Sequence, residues 1–467
     1  MDLTLYNSKT RQAEAIGRLG KKSLTLYTCG PTVYSYAHIG NFRTYVFEDL
    51  LRRTLEWLGY KVTQVMNLTD VDDKTIKGAI AEKKGLGEFT QPFIDAFFED
   101  LKTLRIQPAH HYPKATDYIP KMCERIQQLI ERGYAYQEPD GSVYFSVESF
   151  PAYGALSHLD LDQLQAGASE RVAHDEYERE SVSDFVLWKA YDPKRDGEIF
   201  WESPFGKGRP GWHMECSTMA LELLGDTVDL HCGGIDNLFP HHENEIAQSE
   251  GCTGKTFVNH WAHSEHLIVE GKKMSKSLGN FYTLRQLLEK GYTGAEVRYL
   301  LLNSHYRMQL NFTFEGMMGA RHALERLSAF ARRLRETEGD GGAGLDAAKM
   351  VENFKAALAE DLNVSAAMAV LFDFVREANA LLDAGTVSRK EAQAALSALQ
   401  EINRFLDVIP MEEEEAPKEL QEMAHEREAA RKAKNFSLAD TLRDKILAQG
   451  YLVEDTPKGP RLKKHSA

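Results

Sequence analysis

An apolar run from Ser23 to Thr28 leads into Cys29-Gly30-Pro31 and then the turn His38-Ile39-Gly40-Asn41. A segment follows whose Phe47, Leu50, Leu51, Leu55 and Leu58 recur at helical spacing. Strand, glycine-bearing turn and amphipathic helix in that order commit the start of the chain to a β-α unit. Tyr60 to Leu68 and then Lys74 to Lys84 supply the next unit. Two such units in succession predict a doubly wound parallel sheet, a fold that binds ligands at the carboxyl ends of its strands.

The alternation stops near Phe93. It resumes with a helix from Gly211 to Leu224, a strand from Thr227 to His231, a Gly233-Gly234 turn, a helix from His241 to Ser249 and a strand from Val258 to His263. Between these halves lie the helical Ile119 to Arg132 and the strand-like Ser142 to Val147. From Phe314 to Leu406, apolar residues such as Leu324, Leu327, Leu334, Phe354, Leu358 and Leu362 keep to one helical face. Glu336 to Gly344 is a glycine-rich interhelix loop, Glu412 to Glu415 an acidic linker, and a helix from Asn435 to Gln449 precedes the strand Tyr451-Leu452-Val453. The expected architecture is α/β: a Rossmann-like doubly wound catalytic core at 1–94 and 206–270, a connective insertion at 95–205, a loop and contact region at 271–313, an α-helical bundle at 314–411 and a small C-terminal domain at 412–467.

Composition narrows the function classes. The chain of 467 residues carries a net charge of −14, which argues against a general nucleic-acid coat. Between Glu426 and Lys464, however, ten lysines and arginines face six acids, a local charge of +4 that suits contact with RNA. No apolar run reaches membrane-spanning length, and the N-terminus lacks a signal pattern. The five cysteines include no Cys-x-x-Cys pair, which points to a reducing cytoplasm rather than a disulfide framework.

Two short segments carry phosphate chemistry. His38 and Asn41 are compact donors at a turn softened by Gly40, and the helix opening there aims its N-terminal amides at an anion. Lys273 and Lys276, in Lys273-Met274-Ser275-Lys276-Ser277, are cations on a polar loop with small neighbours, suited to swing onto a departing pyrophosphate. Together and in this order the segments resemble the HIGH and KMSKS signatures of class I aminoacyl-tRNA synthetases, which implies activation of a carboxylate by ATP.

Four scattered residues concern a metal. Cys29 follows the first strand, Cys216 lies in Gly211-Trp212-His213-Met214-Glu215-Cys216, and His241 and Glu245 fall on one face of a helix. Two thiolates, an imidazole and a carboxylate are suitable ligands for tetrahedral zinc. The same residues also suit a blander role: lone cysteines serve as small buried hydrophobes, and a His–Glu pair four apart serves as a surface ion pair.

Longer stretches carry a more specific likeness. Leu26 to Tyr34, Asn67 to Lys74, Asp184 to Lys189, Gly208 to His213 and Phe239 to Gln248, added to the two signatures, make the chain similar along its whole length to the cysteinyl-tRNA synthetase family. The resemblance implies one Zn2+ per chain on Cys29, Cys216, His241 and Glu245, binding the substrate thiol directly. It implies that Thr69 and Asp236 hold the amino acid's amino and backbone groups, that Trp212 floors the pocket, and that Gly233-Gly234-Ile235-Asp236 is the adenosine turn, with His231 close by. It places the catalytic work on His38, Asn41, Lys273 and Lys276, with ATP, accompanied by Mg2+, also touching Gly40, Gly233, Gly234 and Asp236. The expected partners are L-cysteine, ATP and tRNA(Cys), the expected state a cytoplasmic monomer, and the expected RNA contacts the helical bundle and the C-terminal domain, including Ala433 to Asp440.

Metal affinity would serve as the sieve because cysteine and serine are near isosteres that shape alone separates poorly. Two residues depart from the family pattern: Asn41 stands where the signature has His, and Cys232 stands where Gly or Ala is usual. Two other outcomes follow from the same core: ligation of cysteine to a small amine, as in mycothiol assembly, and a pyridoxal-phosphate-dependent persulfide activity with Lys74, Lys77, Lys273 or Lys276 as anchor. Relatives of the first kind lack a C-terminal domain such as Leu420 to Lys464.

Overall fold

The computed structural model describes residues 1–158, 184–275, 278–342, 344–411, 416–456 and 459–464. Four parallel strands, β1 (Ser23–Thr28), β2 (Lys61–Met66), β3 (Val228–Gly234) and β4 (Val258–Ser264), lie in the spatial order β4-β3-β1-β2. Thr28 pairs with both Met66 and Cys232, so the carboxyl ends of the central strands are level. The winding reverses between β1 and β3, which opens a crevice above those two strands. Strand alternation sorts the side chains: Leu24, Leu26, Leu230 and Cys232 join the apolar cluster shared with helix α1 (Ile39–Trp57), while Tyr27, Val65 and Trp261 join the cluster on the other face.

Several boundaries differ from the expectation. Helix α2 (Leu86–Thr103) runs straight through 94/95, because Ile94, Phe97 and Leu101 form one buried stripe on the core cluster that holds α1. The inserted antiparallel sheet, Ala135–Gln137, Val143–Phe145 and Phe185–Ala190, is completed beyond 205 by Gly208–Pro210, with Trp188 opposite Pro210. Gly233 and Gly234 end β3 instead of forming a turn after it. Helix α3 (Trp212–Leu224) follows the inserted sheet. The next helix, α4 (Glu243–Thr253), begins two residues later than expected, leaving His241 in the irregular stretch Leu238–His242. The cause is Pro240, which supplies no amide hydrogen and drives Phe239 into extended backbone (φ −141°, ψ 133°).

The helical region is a bundle of α5 (Phe314–Arg335), α6 (Ala347–Ala359), α7 (Val364–Asp383) and α8 (Arg389–Leu406). Leu324, Leu327, Leu334, Phe354, Leu358 and Leu362 are buried in a cluster continuous with the one beneath α1. The seam between core and bundle is polar at one point. Asp49 on α1 accepts from Arg53 Nε (2.8 Å), Arg298 Nη2 (2.5 Å) and the Gln107 amide (2.9 Å), while Arg298 donates to the carbonyls of Leu104 and Leu406. At the C-terminus, α9 (Lys418–Lys432) and α10 (Phe436–Ala448) pack with a hairpin of β5 (Tyr451–Thr456) and β6 (Gly459–Lys464); the sequence reading had found only α10 and the start of β5. The acidic linker Glu412 to Glu415 lies outside the described residues. Among the described residues no helix is long and apolar enough to cross a membrane.

Candidate active site

The crevice at the ends of β1 and β3 is where the chemistry-bearing residues converge. Cys29 leaves β1 and donates its amide to the Cys232 carbonyl of β3 (3.3 Å). Cys216 comes from α3, His241 from the irregular stretch, and Glu245 from the first turn of α4. One ligand atom from each of Cys29, Cys216, His241 and Glu245 lies within 4.8 Å of all the others, and all four residues are buried. Although His241 is not on the helix, the contact expected of its spacing is made, with Nε2 at 3.0 Å from Glu245 Oε1. His241 stacks on Trp212, ring centroids 4.1 Å apart, and its Nδ1 meets His213 Nδ1 at 2.8 Å.

Burial and mutual contacts set the charges here. Burial, then the neighbouring Cys216, pushes the Cys29 thiol well up. Burial pushes Cys216 the same way, but hydrogen bonds from Cys29 and His241 outweigh it and bring Cys216 down to about 6. For Glu245 burial is outweighed by His231 and His241, which hold its carboxyl at about 2. His241, depressed by burial but raised more by Glu245 and Cys216, goes up to about 10. The cluster therefore carries carboxylate and thiolate charge facing the His241 imidazolium away from water, where charge persists only when paired or bound to metal.

Three further histidines reach the cluster, of which the sequence had pointed to His231 alone and only as a neighbour of the adenosine turn. His231 Nε2 meets Glu245 Oε2 at 2.9 Å, so it joins this cluster from the strand that ends in Gly233 and Gly234. His242 Nε2 lies 3.3 Å from Cys29 Sγ, and its Nδ1 contacts His263 Nε2 at 2.8 Å. Period-two alternation from Leu230 could have turned His231 toward this face; the same alternation sends Cys232 to the α1 side, outside both groups of possible metal ligands.

The two signature segments touch. His38 is the N-cap of α1, and its Nδ1 accepts from the Asn41 amide (3.1 Å) while Asn41 Oδ1 accepts from the His38 amide (3.1 Å). This reciprocal box puts the neutral ring's proton on Nε2, making that nitrogen the donor. A Cβ on Gly40 would lie 2.9 Å from His38 Nδ1 and 3.1 Å from Met274 Cε, so a larger residue here would crowd the His38 ring and press on Met274 of the second signature. The segment after the second signature is pinned as well: the Ile39 amide donates to the Tyr282 carbonyl (3.0 Å), and Phe281 meets the His38 ring edge-on at 5.1 Å. Asn280 closes the loop, with Oδ1 accepting from the Ser275 amide (2.9 Å) and Nδ2 donating to the Lys273 carbonyl (3.1 Å). Lys273 is exposed beside this clamp, and Lys276 lies outside the described residues.

The remaining expected residues have the following surroundings. Thr69 is buried and its Oγ1 accepts from Asn67 Nδ2 (3.1 Å). Asp236 is exposed, with its carboxylate over Gly234, and a Cβ on Gly233 would press on the His242 ring at 2.9 Å. Lys74 stands over the Tyr34 ring at 5.4 Å, and Lys77 is exposed.

A parallel sheet with a histidine turn after its first strand, joined to a lysine loop after its last, defines a class I tRNA synthetase core. The family described as tRNA synthetases class I (C) catalytic domain matches residues 15–322, and the DALR domain matches residues 353–409. Mycobacterium tuberculosis methionyl-tRNA synthetase in complex with methionyl-adenylate superposes with a TM-score of 0.61 at 15% identity, covering 84% of this chain and 92% of that one, which bears on the fold alone. Much nearer are the cysteine–tRNA ligases of Protochlamydia amoebophila (strain UWE25), 59% identical, and Chlamydia pneumoniae, 56% identical, each over 99% of this chain and 98% of the relative. The chain belongs to the cysteine–tRNA ligase family of class I synthetases.

Proposed function

We propose that the protein activates L-cysteine with ATP to cysteinyl-adenylate and transfers the cysteinyl group to the 3′ end of tRNA(Cys), acting as a cytoplasmic monomer. The observation that carries this reading is the juxtaposition of the joined signature segments with the buried Cys29–Cys216–His241–Glu245 cluster at one switch point. The cluster fits zinc: two sulfurs, one imidazole and one carboxylate are its usual donors, and all four are buried with their ligand atoms within 4.8 Å of one another. When bound, zinc supplies a soft Lewis acid that favours a thiolate over a hydroxyl and so separates cysteine from serine.

The chain's own residues do the rest. Trp212, stacked on His241, closes one side of the pocket against larger side chains. Thr69 and Asp236 orient the amino acid, Asp236 by pairing its carboxylate with the substrate ammonium. Gly233 and Gly234 let adenosine lie against the end of β3. Attack of the cysteine carboxylate on the α-phosphate builds negative charge there, which His38 Nε2, the Asn41 amide group and the N-terminus of α1 receive. Asn41 Oδ1 is committed to the cap, so this residue contributes through Nδ2. Lys273 and Lys276 take the charge of pyrophosphate, with Mg2+ accompanying ATP. The helical bundle and the basic C-terminal domain carry the tRNA. Likeness over the full length, that domain included, favours tRNA over a small amine as acceptor.

Charging assays with tRNA(Cys) transcript test this directly. Accumulation of cysteinyl-tRNA is expected; cysteine-dependent ATP consumption with transfer only to small amines would overturn the acceptor assignment.

A further inference from the structure

The buried cluster holds two sets of metal ligands, not one. Besides Cys29, Cys216, His241 and Glu245, a second group, Cys29, His231, His242 and Glu245, also brings one ligand atom each to within 4.8 Å of all the others, fully buried. The sets share Cys29 and Glu245 and differ in the other pair. Glu245 is divided between them: Oε1 lies 3.0 Å from His241 Nε2, and Oε2 lies 2.9 Å from His231 Nε2. Cys29 Sγ is 3.9 Å from Glu245 Oε1 and 3.3 Å from His242 Nε2. Zinc–nitrogen, zinc–oxygen and zinc–sulfur bond lengths give tetrahedral ligand–ligand edges of about 3.3–3.8 Å, close to these separations.

Two further features set the second group apart. His242 has the outer support of a ligating histidine: Nδ1 contacts His263 Nε2 (2.8 Å), whose Nδ1 contacts Ser8 Oγ (2.7 Å), leaving Nε2 directed at Cys29. The groups also differ in depth. His241 stacks on the half-exposed Trp212, whereas His231 stacks at 4.6 Å on Trp261, which is wholly buried.

We propose that Cys29, His231, His242 and Glu245 form a second, deeper zinc position that shares two ligands with the substrate-facing one. The proposal rests on the reading that this pocket takes zinc, and it gives the metal a place to remain when the outer position loses a ligand. A zinc ion in the deeper position lies behind the cysteine pocket, so it stabilises the fold without selecting the substrate.

Zinc content and X-ray absorption of the purified full chain test the proposal. The unaltered protein is expected to hold about one zinc with two sulfur ligands. Cys216→Ala, which leaves the first set one ligand short and the second intact, is expected to keep about one zinc with one sulfur and two imidazoles, and to lose cysteine-dependent pyrophosphate exchange. Adding His242→Ala to it should lose the metal. Circular dichroism establishes that each variant is folded. Should Cys216→Ala not fold, His241→Asn removes the other residue peculiar to the first set and must likewise show two imidazoles. A folded Cys216→Ala or His241→Asn protein that is zinc-free, or whose zinc shows fewer than two imidazoles, overturns the second position while leaving the first standing. Absence of zinc from the unaltered protein overturns both.

Discussion

Replacing Asp49 by asparagine keeps the side chain's shape but removes the carboxylate that Arg53 and Arg298 share at the seam between the signature helix and the bundle. Asp49 and Arg298 have no exposed side-chain surface, so Arg298 loses a counterion that water cannot replace, while Arg53, 9% exposed, keeps Asp407 at 3.5 Å. A unit charge pair about 4 Å apart is worth about 4 kcal/mol at an effective dielectric near 20, and removing one partner of a buried pair costs about 3–5 kcal/mol. The carbonyls of Leu104 and Leu406 still accept from Arg298, which argues for the lower end. We expect Asp49→Asn to lose about 3 kcal/mol in urea unfolding followed by circular dichroism. Because α1 begins at His38, kcat for adenylation should fall with it. Asp49→Asn combined with Arg298→Met removes the stranded charge as well and should recover at least half of the loss. A loss below about 1 kcal/mol, or a double variant no better than the single one, refutes the reasoning.

Other consequences are equally direct. His260 is held down to about 4, first by burial and then by Arg18, against a free value of about 6.5. The unfolded chain takes up a proton that the folded chain refuses. This stability is therefore fully present above about pH 6.5 and is lost as the pH falls to about 4, by about 3 kcal/mol; His260→Asn should flatten that part of the acid titration of stability. Asn280→Ala removes two hydrogen bonds that hold the lysine loop closed, each worth about 0.5–1.5 kcal/mol, so kcat for adenylation should drop about tenfold with the melting temperature unchanged. An unaltered kcat would deny the clamp a role. Gly40→Ala forces Met274 or His38 aside and should depress kcat much more than the KM for cysteine, read from the same assay.

Local pattern carried the sequence reading as far as local pattern goes. Ser23 to Thr28 reads as a strand because its alternation and the Gly-Pro after it are both local, and it is one. Cys29, Cys216, His241 and Glu245 meet at the switch point, where element order puts them close together, but spacing left their role open and the family resemblance supplied it. The contacts of His231 and His242 with the cluster were not legible, since sequence spacing does not encode them. Gly233 and Gly234 look like a turn because glycine weakens strands, but here pairing with Ser264 and His263 of β4 and the close approach of His242 override that tendency. The missed helix start at Glu243 has one cause, Pro240. The missed strand β6 has another: Gly459 to Lys464 is charged and acquires its structure only by pairing with β5.

The central claim is that this crevice adenylates cysteine and uses a metal to refuse serine. ATP–pyrophosphate exchange with each amino acid, measured on protein of known zinc content, tests it most directly. The account predicts about one zinc per chain and exchange with cysteine exceeding that with serine by well over the ~100-fold that shape alone provides. Exchange with serine within tenfold of cysteine, or full cysteine selectivity in zinc-free protein, would contradict it.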